Sequence, residues 1–270
     1  LKNKYELIPV VDKNMKVINI ITWDQVFSKK FLSNQKISKS RVIIMAGGEG
    51  IRMKPFTTIL PKPLIPVQGK SILEHILENF SQAGLKNFNI CLGYKNNTIK
   101  AFFKAMRLKH NIKFTIEKKP LGTIGPISQL KIKSKEDPIF ISNCDIIIRS
   151  DLDQILSSHK NKKNDLTIVT AIKNFKIPYG VCHTNNQGIF KKIEEKPNYN
   201  ALVNTGLYVI NPKVVKLIPK NKKFDITDLI NTAKEKKYKI GIFPIPDESW
   251  VDIGQWNEYR SAAKKLEETY

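Results

Sequence analysis

The most constraining stretch of the chain is residues 41–71, RVIIMAGGEGIRMKPFTTILPKPLIPVQGKS. It opens with Val42, Ile43, Ile44, Met45 and Ala46, an apolar run too short for a helix and of the kind carried by strands buried on both faces. A glycine turn follows directly. Gly47, Gly48 and Gly50 have no Cβ, so the main chain can take positive φ there and an anion can approach its N–H groups. Two cations stand beyond the turn: Arg52, and Lys62 between Pro61 and Pro63, whose rings restrict the lysine's backbone. Amides, a guanidinium fork and a point charge together suit a polyphosphate.

Two familiar phosphate loops fail on this stretch. G-x-G-x-x-G started at Gly48 would need glycine where Met53 stands, and a Walker loop ending in Gly69, Lys70 and Ser71 would need glycine where Leu64 stands. The order AGGEGIRMKP followed by PKPLIPVQGK instead resembles the signature of the sugar-1-phosphate nucleotidyltransferases, with Ile51 where that family usually has threonine. The resemblance implies nucleotide contacts from Ala46, Gly47, Gly48 and Gly50, and catalytic roles for Arg52 and Lys62.

A net charge of +22 over 270 residues raises the question of nucleic acid. The lysines, however, are spread along the chain, and the arginines are only Arg41, Arg52, Arg107, Arg149 and Arg260. Spread charge reads as a solvated surface that also attracts small anions, not as a basic patch interleaved with aromatics. Cys91, Cys144 and Cys182 show neither a disulfide framework nor zinc spacing, which suits a reducing cytoplasm, and His75, His110, His159 and His183 show no ligand spacing. No apolar run approaches the roughly 18 residues of a membrane span, and residues 1–14 carry charges where a secretory signal would be apolar. No membrane or nucleic-acid partner is expected, and the sequence is silent on oligomeric state.

Residues 5–27 read as a strand, a turn at Asp12, Lys13 and Asn14, a second strand over 17–21 and a helix opening near Thr22. This resembles the closing third of a CBS domain, a module that binds adenosine nucleotides. Its Thr-x-x-Asp pattern would put an acid at position 25, where Gln25 stands. The expected organisation is a partial CBS-like segment over 1–27, a lysine-rich linker over 28–40 and one nucleotidyltransferase domain over 41–270.

After the opening loop, Ser71 and Glu74 fit a capping box before the stripe Ile72, Leu73, Ile76, Leu77 and Phe80, which Gly84 ends. A strand over 88–92, a helix over 97–108 and a strand over 111–117 continue the alternation, so the fold expected is α/β, a Rossmann-like doubly wound mixed sheet, mostly parallel. Ligands in such sheets sit beyond the carboxyl ends of the strands. Three ends stand out. Glu117 precedes Pro120, Leu121, Gly122 and Thr123 and a helix expected near Ile124, a place for Gly122 and Glu117 to hold base and ribose. Residues 139–145, IFISNCD, deliver Asp145, which resembles the family's aspartate after an N-G-D-like turn, with Cys144 in place of glycine. Trp250, Val251, Asp252, Ile253 and Gly254 resemble the family's W-x-D-x-G. By that resemblance Asp145 and Asp252 are the carboxylates of a Mg²⁺ site, a metal commonly held by one or two carboxylates and substrate phosphates.

A strand over 165–171, Gly180 after Tyr179, and a hairpin turn at 185–188 lead to EEKP, in which Glu195 and Lys196 match the family's E-K-P. There the glutamate touches sugar hydroxyls and the lysine the sugar phosphate. Asn204, Thr205 and Gly206 resemble the family's sugar-contacting turn, and a helix over 255–266 closes the chain. The reaction implied is attack of a sugar 1-phosphate on the α-phosphorus of a nucleoside triphosphate. Glu117 points to GTP: a carboxylate only accepts, and guanine offers two adjacent donors, whereas pyrimidine-using members have glutamine at the equivalent position. The competing readings are a UTP- or dTTP-dependent transferase and a non-catalytic nucleotide-sugar sensor.

Overall fold

The computed structural model describes residues 7–22, 39–106, 111–133, 137–256 and 259–260. The 42–46 run forms the centre of β3 (Arg41–Ala46), and its alternation divides the core in two. Val42, Ile44 and Ala46 face a layer built from α1 (Ile72–Gln82), α2 (Asn96–Met106) and α3 (Leu152–Asn161); Ile43 faces Ile124, Ile127, Val214 and the inner side of α4 (Ile226–Glu235). A strand buried on both faces has no solvent side, which is why it reads as an unbroken apolar run.

The main sheet is ordered β14-β10-β13-β8-β3-β6-β7, with β6 Asn87–Leu92, β7 Asn111–Ile116, β8 Ile139–Asn143, β10 Leu166–Lys176, β13 Asn198–Ile210 and β14 Ile240–Pro246. All run one way except β13, antiparallel to both β8 and β10. From β3 the chain builds outward through β6 and β7, then returns to place β8 on the other side of β3. The loops after β3 and β8 therefore diverge, and the crevice between them is the ligand position of an open α/β sheet.

The capping box forms as expected. Glu74 N–H donates to Ser71 Oγ at 3.2 Å and Ser71 N–H to Glu74 Oε2 at 2.8 Å, while Gly84, at φ +89°, lets Leu85 N–H reach Phe80 O at 3.0 Å and close the helix. Four expectations need correction. The helix expected near Ile124 is a short 3₁₀ turn, Gly125–Gln129, because Ile124 and Gly125 spend their N–H groups on Phe224 O. Strand β7 stops at Ile116, so Glu117 stands just beyond it. Strand β10 runs past position 171 to Lys176, since β13 pairs with it beyond the body of the sheet. Asn204, Thr205 and Gly206 form no turn: they lie within β13 at a bulge opposite Ile168 and Thr170, with Gly206 at φ +87°. The outer ends of β10 and β13 form an exposed ribbon leading to the hairpin β11 (Val181–Thr184) and β12 (Phe190–Glu194).

Near the amino terminus β1 (Leu7–Val11) and β2 (Val17–Thr22) pair as a hairpin, and Asp12 Oδ1 accepts from Asn14 and Lys16 N–H at 2.9 Å each. The helix expected after Thr22, Gln25, most of the 28–40 linker and His110 lie outside the described residues, as does most of the closing helix. Cys91, Cys144 and Cys182 form no disulfide. No helix among the described residues is long and apolar enough to cross a membrane.

His159 on α3 is buried inside a directional hydrogen-bond chain. Asn164 Nδ2 donates to Thr167 Oγ1 at 3.0 Å, which leaves the threonine proton for His159 Nδ1 at 2.9 Å, so Nε2 carries the ring proton and donates to Asn211 Oδ1 at 3.1 Å. Burial holds this imidazole below its ordinary pKa. The fold takes the neutral ring, the unfolded chain takes the proton first, and stability falls as pH drops below about 6.5, by at most about 1.4 kcal/mol per pH unit from this site. Asp165 does not share that window: burial pushes its carboxyl up, but Lys213 and the Lys239 N–H outweigh it and hold it low, so its contribution is lost only in stronger acid. Denaturant melts at pH 7.5 and 5.5 should show a loss in the wild type that is reduced in His159→Gln; an equal loss in both removes His159 as its source.

Candidate active site

A cavity of about 690 Å³ opens at the carboxyl ends of β3, β7 and β8. It is lined by Met45, Gly47, Gly48, Glu49, Gly50, Ile51, Arg52, Lys62, Glu117, residues 120–123, Asn143, Cys144 and Asp145. A second cleft, about 600 Å³, lies at the amino ends of β3, β6 and β7 around Arg41, Asn87 and Asn111. The topology favours the first, because the diverging loops of a parallel sheet are at its carboxyl ends.

The loop after β3 is folded tightly on itself. Gly50, at φ +66°, opens a 3₁₀ turn, Ile51–Met53, and a Cβ there would stand 2.8 Å from Thr57 Cγ2 and 3.0 Å from Lys62 Cβ. Thr57 Oγ1 donates back to Gly50 O at 3.0 Å. Arg52 is exposed on the cavity wall, whereas Lys62, in the 3₁₀ turn Lys62–Leu64, is only 6% exposed. The ammonium has two partners, Asp145 Oδ2 at 2.5 Å and Gly254 O at 3.3 Å.

Asp145 and Asp252 converge through a small antiparallel ribbon. β9 (Ile146–Ile148) pairs with β15 (Trp250–Asp252), Asp252 opposite Ile146, and Ile253 N–H donates to Asp145 O at 2.8 Å. Asp252 Oδ1 accepts Gly254 N–H at 2.7 Å, and a Cβ on Gly254 would lie 2.8 Å from that oxygen. The Asp145 and Asp252 carboxylates are oxygen donors that a hard cation such as Mg²⁺ could use if ligand phosphates completed its shell; among the described residues no group of three or more His, Cys, Asp or Glu forms a protein-only cage. Desolvation at the cavity wall, with the Asp145 charge beside it, pushes the Cys144 thiol up to about 12, which favours the protonated form.

At the other end of the cavity Glu117 Oε2 accepts Leu121 N–H at 3.0 Å. Its Oε1 lies over the glycines: a Cβ on Gly47 would be 1.8 Å from it, and one on Gly93 2.6 Å. Burial raises the Glu117 carboxyl above its ordinary value, and the Leu121 N–H opposes that shift without cancelling it. The 117–125 segment is held from outside, since Thr123 N–H donates to Asp225 Oδ1 at 2.7 Å and Phe224 N–H to Leu121 O at 2.9 Å.

The structure thus brings Gly47, Gly48, Gly50, Arg52, Lys62, Glu117, Gly122 and Asp145 around one cavity, with Ala46 buried at the end of β3 and Asp252 beside Asp145. Asn204 reaches its edge indirectly: a Cβ on Gly206 would lie 2.6 Å from Asn143 Nδ2, while Asn204 itself binds Tyr208 Oη at 2.7 Å and the Gly206 N–H at 3.1 Å. Gly180, Glu195 and Lys196 do not line this cavity. They form a separate group on the exposed ribbon, where a Cβ on Gly180 would be 3.0 Å from Glu195 Oε2 and Lys196 holds φ +45°.

Sequence reasoning missed the turn after β6. Gly93 supports Glu117, Tyr94 N–H donates to Gly47 O at 3.0 Å, and Lys95 Nζ donates to Thr58 O and, at 2.8 Å, to Ile59 O, so this turn grips the glycine loop. The rule that weights strand carboxyl ends would have found it. Asn143, seated against Gly206, was also passed over.

The Nucleotidyl transferase family matches residues 41–269. The chain is 30% identical over 226 residues to mannose-1-phosphate guanylyltransferase catalytic subunit beta of Drosophila pseudoobscura pseudoobscura, covering 82% of this chain and 60% of that protein. It is 29% identical over 227 residues to D-glycero-alpha-D-manno-heptose 1-phosphate guanylyltransferase of Aneurinibacillus thermoaerophilus, covering 83% of this chain and 97% of that protein. The chain spans about 60% of the length of the first of these curated relatives. Its fold is that of HddC from Yersinia pseudotuberculosis, at TM-score 0.66 and 24% identity over 84% of this chain and 99% of HddC. The same protein complexed with GMP-PN superposes at TM-score 0.64 with 23% identity, over 84% and 99% of the two chains.

The glycines of the cavity separate by what surrounds them. Gly122 has φ +80°, and its Cβ would stand 2.7 Å from the main-chain Phe224 O, whereas a Cβ on Gly48 would meet nothing within 4 Å. Gly122→Ala should cost about 2–3 kcal/mol in denaturant unfolding and Gly48→Ala no more than about 0.5 kcal/mol. Equal costs would mean that the clamp between 121–125 and 224–225 is not rigid.

Proposed function

This chain belongs to the nucleotidyl transferase family, and on that premise we propose that it transfers a nucleoside monophosphate, GMP in preference, from a nucleoside triphosphate to a sugar 1-phosphate and releases pyrophosphate. Residues 41–270 are the catalytic unit in this reading, with 1–27 a CBS-like appendage and 28–40 its linker. The observation that carries the reading is the junction at Lys62, which meets Asp145 and, 192 positions away, the carbonyl of Gly254 beside Asp252. It brings the glycine loop, Arg52, Lys62 and Asp145 to one crevice, with Asp252 beside Asp145.

The chemistry then needs little from the protein beyond position and charge. The attacking oxygen belongs to an already anionic phosphate, so no protein base removes a proton. The new O–P bond forms at the α-phosphorus as the bond to the β-phosphate oxygen breaks in line, and catalysis is alignment plus neutralisation. Arg52 neutralises the leaving pyrophosphate and Lys62 the α-phosphate. Asp145 and Asp252 would hold a Mg²⁺ ion, which when bound supplies Lewis-acid neutralisation of the phosphates. Lys196 meets the sugar phosphate; Glu195, which Gly180 allows close, and Asn204 meet sugar hydroxyls. Relatives named for mannose and for heptose 1-phosphate are both consistent with this acceptor group.

The base end favours guanine. The two Glu117 oxygens each keep a lone pair beyond the Leu121 bond and the glycine contacts, and guanine N1–H with its exocyclic amine is the donor pair a carboxylate matches. Pyrophosphate release is to be measured with four nucleoside triphosphates and a panel of sugar 1-phosphates. The expected preference for GTP over UTP or dTTP is tens- to hundredfold, since a mismatch leaves a charged group unpaired at about 2–3 kcal/mol, and Glu117→Gln should erase it. Equal use of UTP by the wild type would overturn the base assignment, and no turnover with any pair would favour a sensor.

Arg52 and Lys70, both cations of the signature, also separate. Lys70 is already paired with Glu78 at 2.8 Å and does not line the cavity, whereas Arg52 does. Arg52→Ala should lower turnover by about two orders of magnitude or more, in the range of lost transition-state donors, and Lys70→Ala by less than threefold. Comparable losses would refute this division of roles.

A further inference from the structure

We propose that Lys62 has a second role: in the nucleotide-free protein it is the internal counter-ion of Asp145, and it must leave that carboxylate before a divalent cation can use it. The inference rests on the transferase reading of this site and adds an order of events to it. Lys62 is buried, and its Nζ stands 2.5 Å from Asp145 Oδ2 and 3.3 Å from Gly254 O. A buried ammonium without an anion beside it carries a desolvation penalty of several kcal/mol. Asp145 relieves that penalty, and in doing so the ammonium takes up one face of the carboxylate that a metal would need.

The backbone around Lys62 has little freedom to move. Pro61 and Pro63 flank it, Pro63 and Leu64 are buried, Ile65 N–H donates to Lys62 O at 3.1 Å, and Gly50 leaves no more than the space of its missing Cβ against Lys62 Cβ. The four-carbon side chain is the part that can swing, and its ammonium is a point charge with three rotatable donors, able to change anions without a fixed fork geometry. Lys62 also lines the cavity shared with Arg52 and the glycine loop. Triphosphate in that cavity offers the ammonium a second anion, and its transfer there opens the Asp145 carboxylate. Metal and nucleotide then favour each other's binding through one side chain, a reciprocal coupling of the usual 5- to 150-fold size. A purely structural ion pair, fastening the β8–β9 turn to the signature loop, makes no such demand.

The test uses Mn²⁺ as the probe, counted by the electron paramagnetic resonance of the free ion against the full chain without nucleotide. The wild type should bind Mn²⁺ more weakly without nucleotide than with it, by a factor in the usual coupling range of about 5- to 150-fold. Lys62→Met and Lys62→Gln, checked for folding by circular dichroism, should bind about tenfold or more tightly, and Asp145→Asn added to either should remove the gain. Two results overturn the proposal: a folded Lys62 variant that binds Mn²⁺ no more tightly than the wild type, or a wild type that already binds it at micromolar Kd through Asp145, lost in Asp145→Asn alone. The second needs no Lys62 variant to fold. The same wild-type preparation is assayed for pyrophosphate release: turnover with unchanged Mn²⁺ affinity removes the counter-ion role and leaves the transferase, whereas no turnover with any substrate pair removes the transferase reading itself.

Discussion

A buried ammonium requires an anion within reach, and at Lys62 this requirement ties the candidate site together. Its partners come from the turn between β8 and β9 and from the segment after β15, two parts already joined by the β9–β15 pairing, and the contact fastens both to the signature loop. The ribbon of β9 and β15 supplies the geometry, holding Asp252 opposite Ile146 and therefore beside Asp145. Ile146, Ile147, Ile148, Val251 and Ile253 pack that ribbon into the core shared with Met53, Leu64 and Ile65, and the Lys62 contact adds a charge pair to this packing. The aromatic ring of Trp256 extends the same closure, with Nε1 donating to Lys54 O at 3.0 Å and the ring 4.8 Å from Phe56.

The opposite end of the cavity is shaped by absence of side chains. Glu117 can stand where it does because Gly47 and Gly93 present bare backbone, and its carboxylate is oriented by one main-chain donor rather than by a cation. Burial raises its pKa, so its ionised form carries an energetic cost there.

The residues proposed to meet the acceptor stand in a different setting from those proposed to meet the nucleotide. Gly180, Glu195 and Lys196 sit on the exposed ribbon beyond the sheet, and only the antiparallel course of β13 carries Asn204 and Gly206 back to the end of β8. The glycine-loop cavity is thus built at the ends of the parallel strands, while Gly180, Glu195 and Lys196 hang from two strand extensions.

Much of this was legible in order along the chain. The buried strand, the glycine turn, the capping box at Ser71 and the alternation of elements are local, because hydrophobic period, missing Cβ atoms and capping side chains act within a few residues of their own position. Arg52, Lys62, Glu117, Asp145 and Asp252 are singled out by their places at strand ends and by the resemblance of the stretches around them to the family's motifs. What the tertiary structure alone decided was partnership. That Lys62 meets Asp145 and not a solvent ion, that Gly93 rather than only Gly47 underlies Glu117, and that Asn204 lies in a strand bulge and not a turn all depend on register between distant strands and on which charges burial leaves without water. Those are properties of contacts between segments far apart in sequence, and no local pattern encodes them.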